Sequence, residues 1–174
     1  MTIQNLDLSG LSLKDALDLA TLIEEEAHER YLELADQMEQ HHTPEPATFF
    51  RFMAENEAKH GAELAERRRE LFGDAPREVR RTMLFDVEAP DYDEARAFMT
   101  TRRALGIALR CEEKAHAFFV GALPHVKDAT VSALFAELRD EEVLHQELVR
   151  RELARLPPGE EFDGEAFVDD PNAQ

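Results

Sequence analysis

Four long stretches of the sequence repeat apolar residues at intervals of three and four positions, as one buried face of an α-helix requires. Only seven glycines and eight prolines occur among the 174 residues, which suits long helices better than sheets. The predicted helices cover about residues 13–41, 44–72, 92–123 and 129–156. A chain of this length with four such helices is expected to form a single all-α domain.

Local signals mark the ends of the predicted helices. Ser12 is the expected N-cap of the first helix, and Thr43 followed by Pro44 opens the second. Gly73 is expected to close the second helix. The third helix contains a candidate break, with Thr101 as its internal cap.

The lengths of the connections indicate how the helices are arranged. About two residues join the first helix to the second and about four join the third to the fourth, so each pair is expected to be an antiparallel hairpin. About eighteen residues, 74–91, separate the two hairpins. A crossover of this length indicates a ferritin-like four-helix bundle, in which the second hairpin starts at the opposite end. The domain is predicted over residues 1–156, followed by an acidic C-terminal tail at 157–174.

Charge and composition argue against several classes of function. A formal net charge of −18 repels phosphate backbones, so no nucleic-acid partner is expected. No apolar run is long enough to span a membrane, and residues 1–11 lack the pattern of a secretory signal. Cys111 is the only cysteine, which excludes an intramolecular disulfide. We therefore expect a cytoplasmic protein.

The two predicted hairpins repeat one another in sequence. Matches at an offset of 88 are Glu24 with Glu112, Ala27 with Ala115, and His28 with His116. Matches at an offset of 85 are Phe50 with Phe135, Glu57 with Glu142, and His60 with His145. Two copied hairpins related by a pseudo-twofold axis are expected to build a symmetric site between them.

Two Glu-x-x-His motifs lie on helix faces that should point into the core. Glu57 and His60 continue the apolar row of the second helix, and Glu142 and His145 continue that of the fourth. Residues three apart lie on one side of a helix, so each pair can bind one metal ion. Because a buried carboxylate without a partner is costly or takes up a proton, these side chains need partners in the core.

The first and third helices are expected to supply one glutamate each. Glu24 and Glu112 lie on the apolar rows, whereas Glu25 and Glu113 are rotated from them by about 100°. Four carboxylates with two neutral imidazoles carry a charge that two divalent cations neutralise. One glutamate from each of two helices plus Glu-x-x-His from the other two is the di-iron or di-manganese carboxylate pattern. The alternative is a metal-free polar network that satisfies the carboxylates by itself.

Five further residues are candidates for contact with the ligands. His28 and His116 are interpreted as hydrogen-bond partners of the carboxylates, the alternatives being extra ligands or proton carriers. Tyr31 is interpreted as a core residue with a hydrogen bond, the alternative being an oxidisable neighbour of the metals. Asn56 and Glu141 each precede a motif glutamate and are weaker candidates for the same kind of contact.

These motifs together resemble the ligand helices of rubrerythrin-like members of the ferritin-like di-iron carboxylate superfamily, over about residues 13–156. The residues that carry the resemblance are Glu24-x-x-Ala27-x-x-Arg30-Tyr31, Glu57-x-x-His60, Glu112-x-x-Ala115-x-x-Phe118-Phe119 and Glu142-x-x-His145. The resemblance implies that Glu24 and Glu112 bridge two iron ions, with manganese as the alternative, and that each Glu-x-x-His pair caps one ion. Two features depart from rubrerythrin itself: the chain has no four-cysteine iron centre, and Ala115 stands where an additional glutamate is found.

The resemblance implies a function in iron handling or oxidative-stress defence. The expected activity is oxidation of Fe(II) by O2 or H2O2, as a ferroxidase or a peroxide-reducing protein, with an external electron donor as a candidate partner. The alternative is an iron-binding or storage module with little catalytic turnover. The resemblance also implies a homodimer.

Overall fold

The computed structural model describes residues 7–81 and 99–157, which contain four long helices. The helices are α1 (Leu13–Gln40), α2 (Pro44–Phe72), α3 (Thr101–Ala122) and α4 (Ala129–Arg155). Short 3-10 turns at Leu8–Gly10 and Leu123–His125 precede α1 and follow α3. No strand occurs in these two ranges. None of the described helices has the length and apolar character needed to cross a membrane.

The predicted starts of the first, second and fourth helices are confirmed. Ser12 caps α1 by accepting the backbone N–H of Asp15, and Asp128 caps α4 by accepting two backbone N–H groups. Pro44 is the first residue of α2, as its locked backbone favours, but the Thr43 side chain before it forms no capping hydrogen bond and donates instead to the Met38 carbonyl. In the third helix Thr101 was the expected internal cap, but Thr100, one residue earlier, caps α3 by accepting the backbone N–H of Arg103.

The ends of α1 and α2 follow from turn chemistry. His42 adopts a left-handed conformation with φ of 58°, which lets the backbone N–H of Thr43 donate to the Met38 carbonyl at 3.0 Å. Gly73, with φ of 57°, closes α2 as predicted, and its N–H donates to the Arg69 carbonyl. Leu71, an apolar residue in the last turn of α2, is 55% exposed.

The core has two apolar clusters, one toward each end of the bundle. The first is built by residues such as Leu17, Ile23, Phe119 and Phe135, and the second by residues such as Tyr31, Met38, Phe50, Leu105 and Val149. Helix α1 starts in the first cluster and ends in the second, while α2 runs back toward the first. Helix α3 starts in the second cluster and α4 in the first, so the two hairpins begin at opposite ends. This is the predicted topology of two antiparallel hairpins joined by a long crossover.

A buried arginine ties the start of the crossover to α1. Arg68 donates to Asp18 Oδ1 at 2.8 Å and to the carbonyls of Gly73 and Ala75. Asp18 is fully buried and Arg68 is nearly so. The pair therefore binds the carboxyl end of α2 and the first crossover residues to α1. Residues 82–98 and 158–174 lie outside the described residues, and with them the predicted start of the third helix at about residue 92 and the acidic tail.

Candidate metal centre

Four carboxylates, one from each helix, lie between the two apolar clusters. Glu57 and Glu112 are fully buried, Glu142 is 3% exposed and Glu24 is 5% exposed. Each carboxylate is followed or preceded by buried apolar residues one turn away on its own helix, as Ala27 is beside Glu24. The helical period that builds the core therefore also turns these four side chains inward.

The structure confirms which glutamate of each neighbouring pair faces the interior. The side chains of Glu25 and Glu113 are 46% and 49% exposed and form ion pairs with arginines at the surface. Glu24 and Glu112, one position earlier, point into the bundle. The rotation of about 100° between successive helix positions produces this difference.

The six predicted ligand residues can be divided by hairpin into two sets of three. The α1–α2 set is Glu24, Glu57 and His60, and the α3–α4 set is Glu112, Glu142 and His145. In the α3–α4 set, one ligand atom from each residue lies within 4.8 Å of the others. His145 Nδ1 lies 3.1 Å from Glu112 Oε2 and 3.8 Å from Glu142 Oε2. These three side chains can therefore surround a single ion.

His145 also links the two sets across the bundle. Its ligand atoms lie within 4.8 Å of those of Glu57 and His60. The His60 and His145 rings are stacked, with centroids 4.7 Å apart and an interplanar angle of 9°. Glu24 contacts Glu57 closely enough for a hydrogen bond when one of the two carboxyls is protonated. The structure thus places five of the six predicted residues in two overlapping groups of ligand atoms, and Glu24 joins them through its contact with Glu57.

Half of the carboxylate oxygens in this cluster lack a hydrogen-bond donor among the described residues. Within the described ranges, no donor reaches Glu24 Oε2, either oxygen of Glu57, or Glu142 Oε2. A buried ionised carboxylate without a partner is unfavourable, so it must either take up a proton or bind a cation. Carboxylate oxygens and imidazole nitrogens are ligands that iron and manganese accept, and the donor set therefore fits a metal centre.

Burial and neighbouring negative charges raise the pKa values of three carboxyls in the cluster. Burial, together with the charge of Glu57, raises the pKa of Glu24 well above its usual value. Burial and the charge of Glu112 raise the pKa of Glu57 to about 7, and the same two causes raise the pKa of Glu142 well above normal. In the absence of metal the cluster therefore retains protons at a pH where exposed glutamates are ionised.

The two histidines of the cluster respond differently to their surroundings. Burial and the neighbouring charge of His145 lower the pKa of His60. Burial also acts to lower the pKa of His145, but the hydrogen bond and negative charge of Glu112 outweigh it, and the pKa is raised. At neutral pH His60 is the neutral imidazole that a metal ion requires.

Two of the predicted neighbours have defined partners. Tyr31 is fully buried, and its hydroxyl donates a hydrogen bond to Glu112 Oε1 at 3.3 Å, as its position in the sequence indicated. His28 was expected to bond a carboxylate, but its Nδ1 lies 2.8 Å from the Ala54 carbonyl. A carbonyl can only accept, so His28 donates to the α2 backbone and tethers α1 to α2.

The other three predicted neighbours have no hydrogen bond to the four carboxylates within the described ranges. Asn56 is half-buried, and no partner among the described residues bonds its Nδ2. His116 is half-buried on α3, and the described residues give it no hydrogen bond to the carboxylates. Glu141 and His60 line an open crevice between α2 and α4, where burial and the charge of Glu137 raise the pKa of Glu141.

One contact of the cluster was not predicted from the sequence. Gln146 follows His145 and is buried, and its amide nitrogen lies 3.3 Å from the backbone carbonyl of Glu112. The amide therefore donates to the helix that carries a predicted ligand. Its place directly after a motif histidine, on the core side of α4, was the available signal.

Comparison with known proteins supports the same assignment. The sequence model of the rubrerythrin family matches residues 15–153, which include all six residues of the two sets. The crystal structure of an uncharacterised conserved protein from Magnetospirillum magnetotacticum MS-1 superposes with a TM-score of 0.65 at 30% identity, covering 86% of this chain and 99% of that one. No curated protein matches the sequence. The chain belongs to the rubrerythrin family and has the ferritin-like four-helix fold.

Proposed function

We propose that this protein binds two iron ions in the buried cluster and oxidises Fe(II) with O2 or H2O2. The observation that carries the proposal is the layer of four buried carboxylates, four of whose oxygens have no donor in the described ranges. Two divalent cations cancel the charge of four carboxylates when the histidines are neutral. Membership of a family of di-iron carboxylate proteins supports iron over manganese.

Each ligand set would hold one ion. The α3–α4 set has its three ligand atoms within 4.8 Å of one another, and the α1–α2 set contributes Glu57 and His60 at the same spacing from His145. Glu24 and Glu112, on the two helices without a motif histidine, would supply the remaining two carboxylates of the site. When bound, two ferrous ions supply the two electrons that convert H2O2 and two protons into two molecules of water.

The remaining side chains would orient the ligands and control access. Tyr31 donates to one oxygen of Glu112 and so fixes the orientation of that carboxylate. The apolar clusters above and below keep bulk water out of the cluster. The crevice lined by His60 and Glu141 provides the approach for Fe(II) and for a small oxidant between α2 and α4.

A storage or binding role with little turnover is the second candidate function. The observation in its favour is the single cysteine, Cys111, which is buried and cannot form a four-cysteine electron-transfer centre. Repeated turnover would then require an external electron donor. We further propose that the protein acts as a homodimer, as the family resemblance implies.

The test is metal analysis of protein loaded anaerobically with Fe(II), followed by addition of H2O2 and measurement of the ferric absorbance. We expect about two irons per chain and oxidation within seconds. Many irons per chain would support storage, and no bound iron would contradict both functions.

Neighbouring glutamates provide a matched control for this experiment. Glu112→Gln removes a buried carboxylate of the α3–α4 set, whereas Glu113→Gln removes an exposed carboxylate from the next position of the same helix. We expect only the first substitution to reduce bound iron. Equal iron contents in the two variants would contradict the proposed ligand set.

A further inference from the structure

Gly61 occupies an unusual position directly after the motif histidine of α2. It is buried in the interior of the helix, where glycine is less favourable than alanine. A Cβ atom placed on Gly61 would lie 3.3 Å from Glu24 Cβ, closer than carbon atoms of packed side chains normally lie. The absence of a side chain therefore lets α1 and α2 approach each other at the level of Glu24.

The atom that Gly61 faces is not free to move away. The position of Glu24 Cβ is determined by the α1 backbone, so rotation of the side chain cannot relieve a contact there. Ala20 and Ala27, one turn away on either side, are fully packed in the core. A methyl group at position 61 would therefore have to push α1 and α2 apart. Because Glu24 and Glu57 contact each other across these two helices, such a shift separates their carboxylates.

The internal repeat gives the equivalent position of the second hairpin. At the offset of 85, Gly61 corresponds to Gln146, and Glu24 corresponds to Glu112 at the offset of 88. Gln146 carries a long side chain where the first hairpin has none, and its amide donates to the Glu112 carbonyl at 3.3 Å. At this level α1 and α2 pack directly against each other, whereas the buried amide of Gln146 lies between α3 and α4.

We propose that Gly61 is a positioning residue of the metal centre. By keeping α1 against α2 it holds Glu24 beside Glu57, and the contrast with Gln146 makes the α1–α2 set differ from the α3–α4 set. The inference rests on the proposed function, because it assumes that the two sets hold metal ions. It adds that the two ions are bound with different affinities and that Gly61 affects one of them.

The test compares Gly61→Ala with Gly106→Ala. Gly106 also lies inside a helix, but a Cβ there would meet only the guanidinium end of the Arg110 side chain, at an ordinary contact distance of 3.8 Å. In metal-free protein we expect Gly106→Ala to raise the melting temperature through helix propensity, and Gly61→Ala to give a smaller rise or a fall. In titrations with cobalt(II) chloride we expect two ions per wild-type chain. Gly61→Ala should weaken the binding of one ion at least ten-fold, and Gly106→Ala should not.

A double-mutant cycle identifies which ion is affected. Gly61→Ala acts on cobalt affinity through the Glu24–Glu57 contact. It should therefore change the affinity little further in a Glu57→Gln background, and should have its full effect on the affinity in a Glu142→Gln background. Cobalt titrations of Gly61→Ala that superpose on those of the wild type would overturn the inference.

A crystal structure of metal-free Gly61→Ala separates this inference from the proposed function. If the wild type binds no cobalt, the proposed function fails, and the positions of Glu24 and Glu57 still decide the role of Gly61. A wider separation of their carboxylates supports the positioning role, and an unchanged separation overturns it.

Discussion

Replacing Glu57 by glutamine should stabilise the metal-free protein, although it removes a predicted ligand. Glu57 is fully buried, and no donor in the described ranges reaches either of its oxygens. Glutamine has nearly the same size and carries no charge. The substitution therefore removes an unfavourable buried charge while it preserves the packing of the core.

The size of the effect follows from the pKa of Glu57, which burial raises from 4.5 to about 7. Between these two values the folded state binds more protons than the unfolded state, so the free energy of unfolding falls as pH rises. Across this pH interval, at about 1.4 kcal/mol per pH unit, the free energy of unfolding falls by about 3 kcal/mol, and the loss is complete slightly above pH 7. Below pH 4.5 the loss disappears.

The assay is urea unfolding in the presence of a chelator, followed by circular dichroism between pH 5 and pH 8. We expect Glu57→Gln to be about 2–3 kcal/mol more stable than the wild type at pH 8 and to differ by less than about 1 kcal/mol at pH 5. Glu55→Gln, on the exposed side of the same helix, is the control and should show no such pH dependence. A stability difference that stays constant across this pH range would refute the reasoning.

Three further predictions concern the ligands and the scaffold. Tyr31→Phe removes one hydrogen bond to Glu112, so it should lower the free energy of unfolding by about 1 kcal/mol, as measured by chemical unfolding. It should weaken cobalt binding less than ten-fold, as measured by titration. Cobalt affinity should rise between pH 6 and pH 8, by about ten-fold per pH unit for each proton displaced, since the raised pKa values make protons compete with metal; titration at several pH values measures it. Arg68→Met should lower the free energy of unfolding by about 3 kcal/mol or more, since it leaves Asp18 buried without its closest partner; urea unfolding measures it, and a loss below 1 kcal/mol would contradict the role of the pair.

The sequence predicted the fold and the inward-facing glutamates because both depend on local periodicity. The choice of Glu24 over Glu25 follows from a rotation of about 100° per residue, which holds in any regular helix. The cap of α1 was predictable because Ser12 is a strong N-cap residue in front of an amphipathic run. At the start of α3, two adjacent threonines offer the same chemistry, so the sequence alone could not distinguish Thr100 from Thr101.

Contacts between helices were less predictable, because they depend on distances that periodicity does not give. His28 lies close to the predicted face, yet its partner is the backbone of α2 and not a carboxylate. Gly61 and Gln146 were missed for another reason. The internal repeat is recognised from positions where the two hairpins carry the same residue type. Gly61 and Gln146 are equivalent positions that carry different residues, so the repeat does not draw attention to them. Differences between repeats show where two similar halves of a site diverge.

The distribution of hydrogen bonds distinguishes a metal centre from a self-sufficient polar network. A metal-free network would need donors for all four carboxylates. Donors from Tyr31 and His145 both go to Glu112, whereas both oxygens of Glu57 and one each of Glu24 and Glu142 receive none within the described ranges. The core therefore provides donors to both oxygens of one carboxylate and leaves oxygens of the other three without a donor. Such a core is stable only if these three carboxylates bind protons or cations. Protons complete it at low pH, and divalent ions would complete it at neutral pH, which is why metal affinity and metal-free stability should change in opposite directions as pH rises.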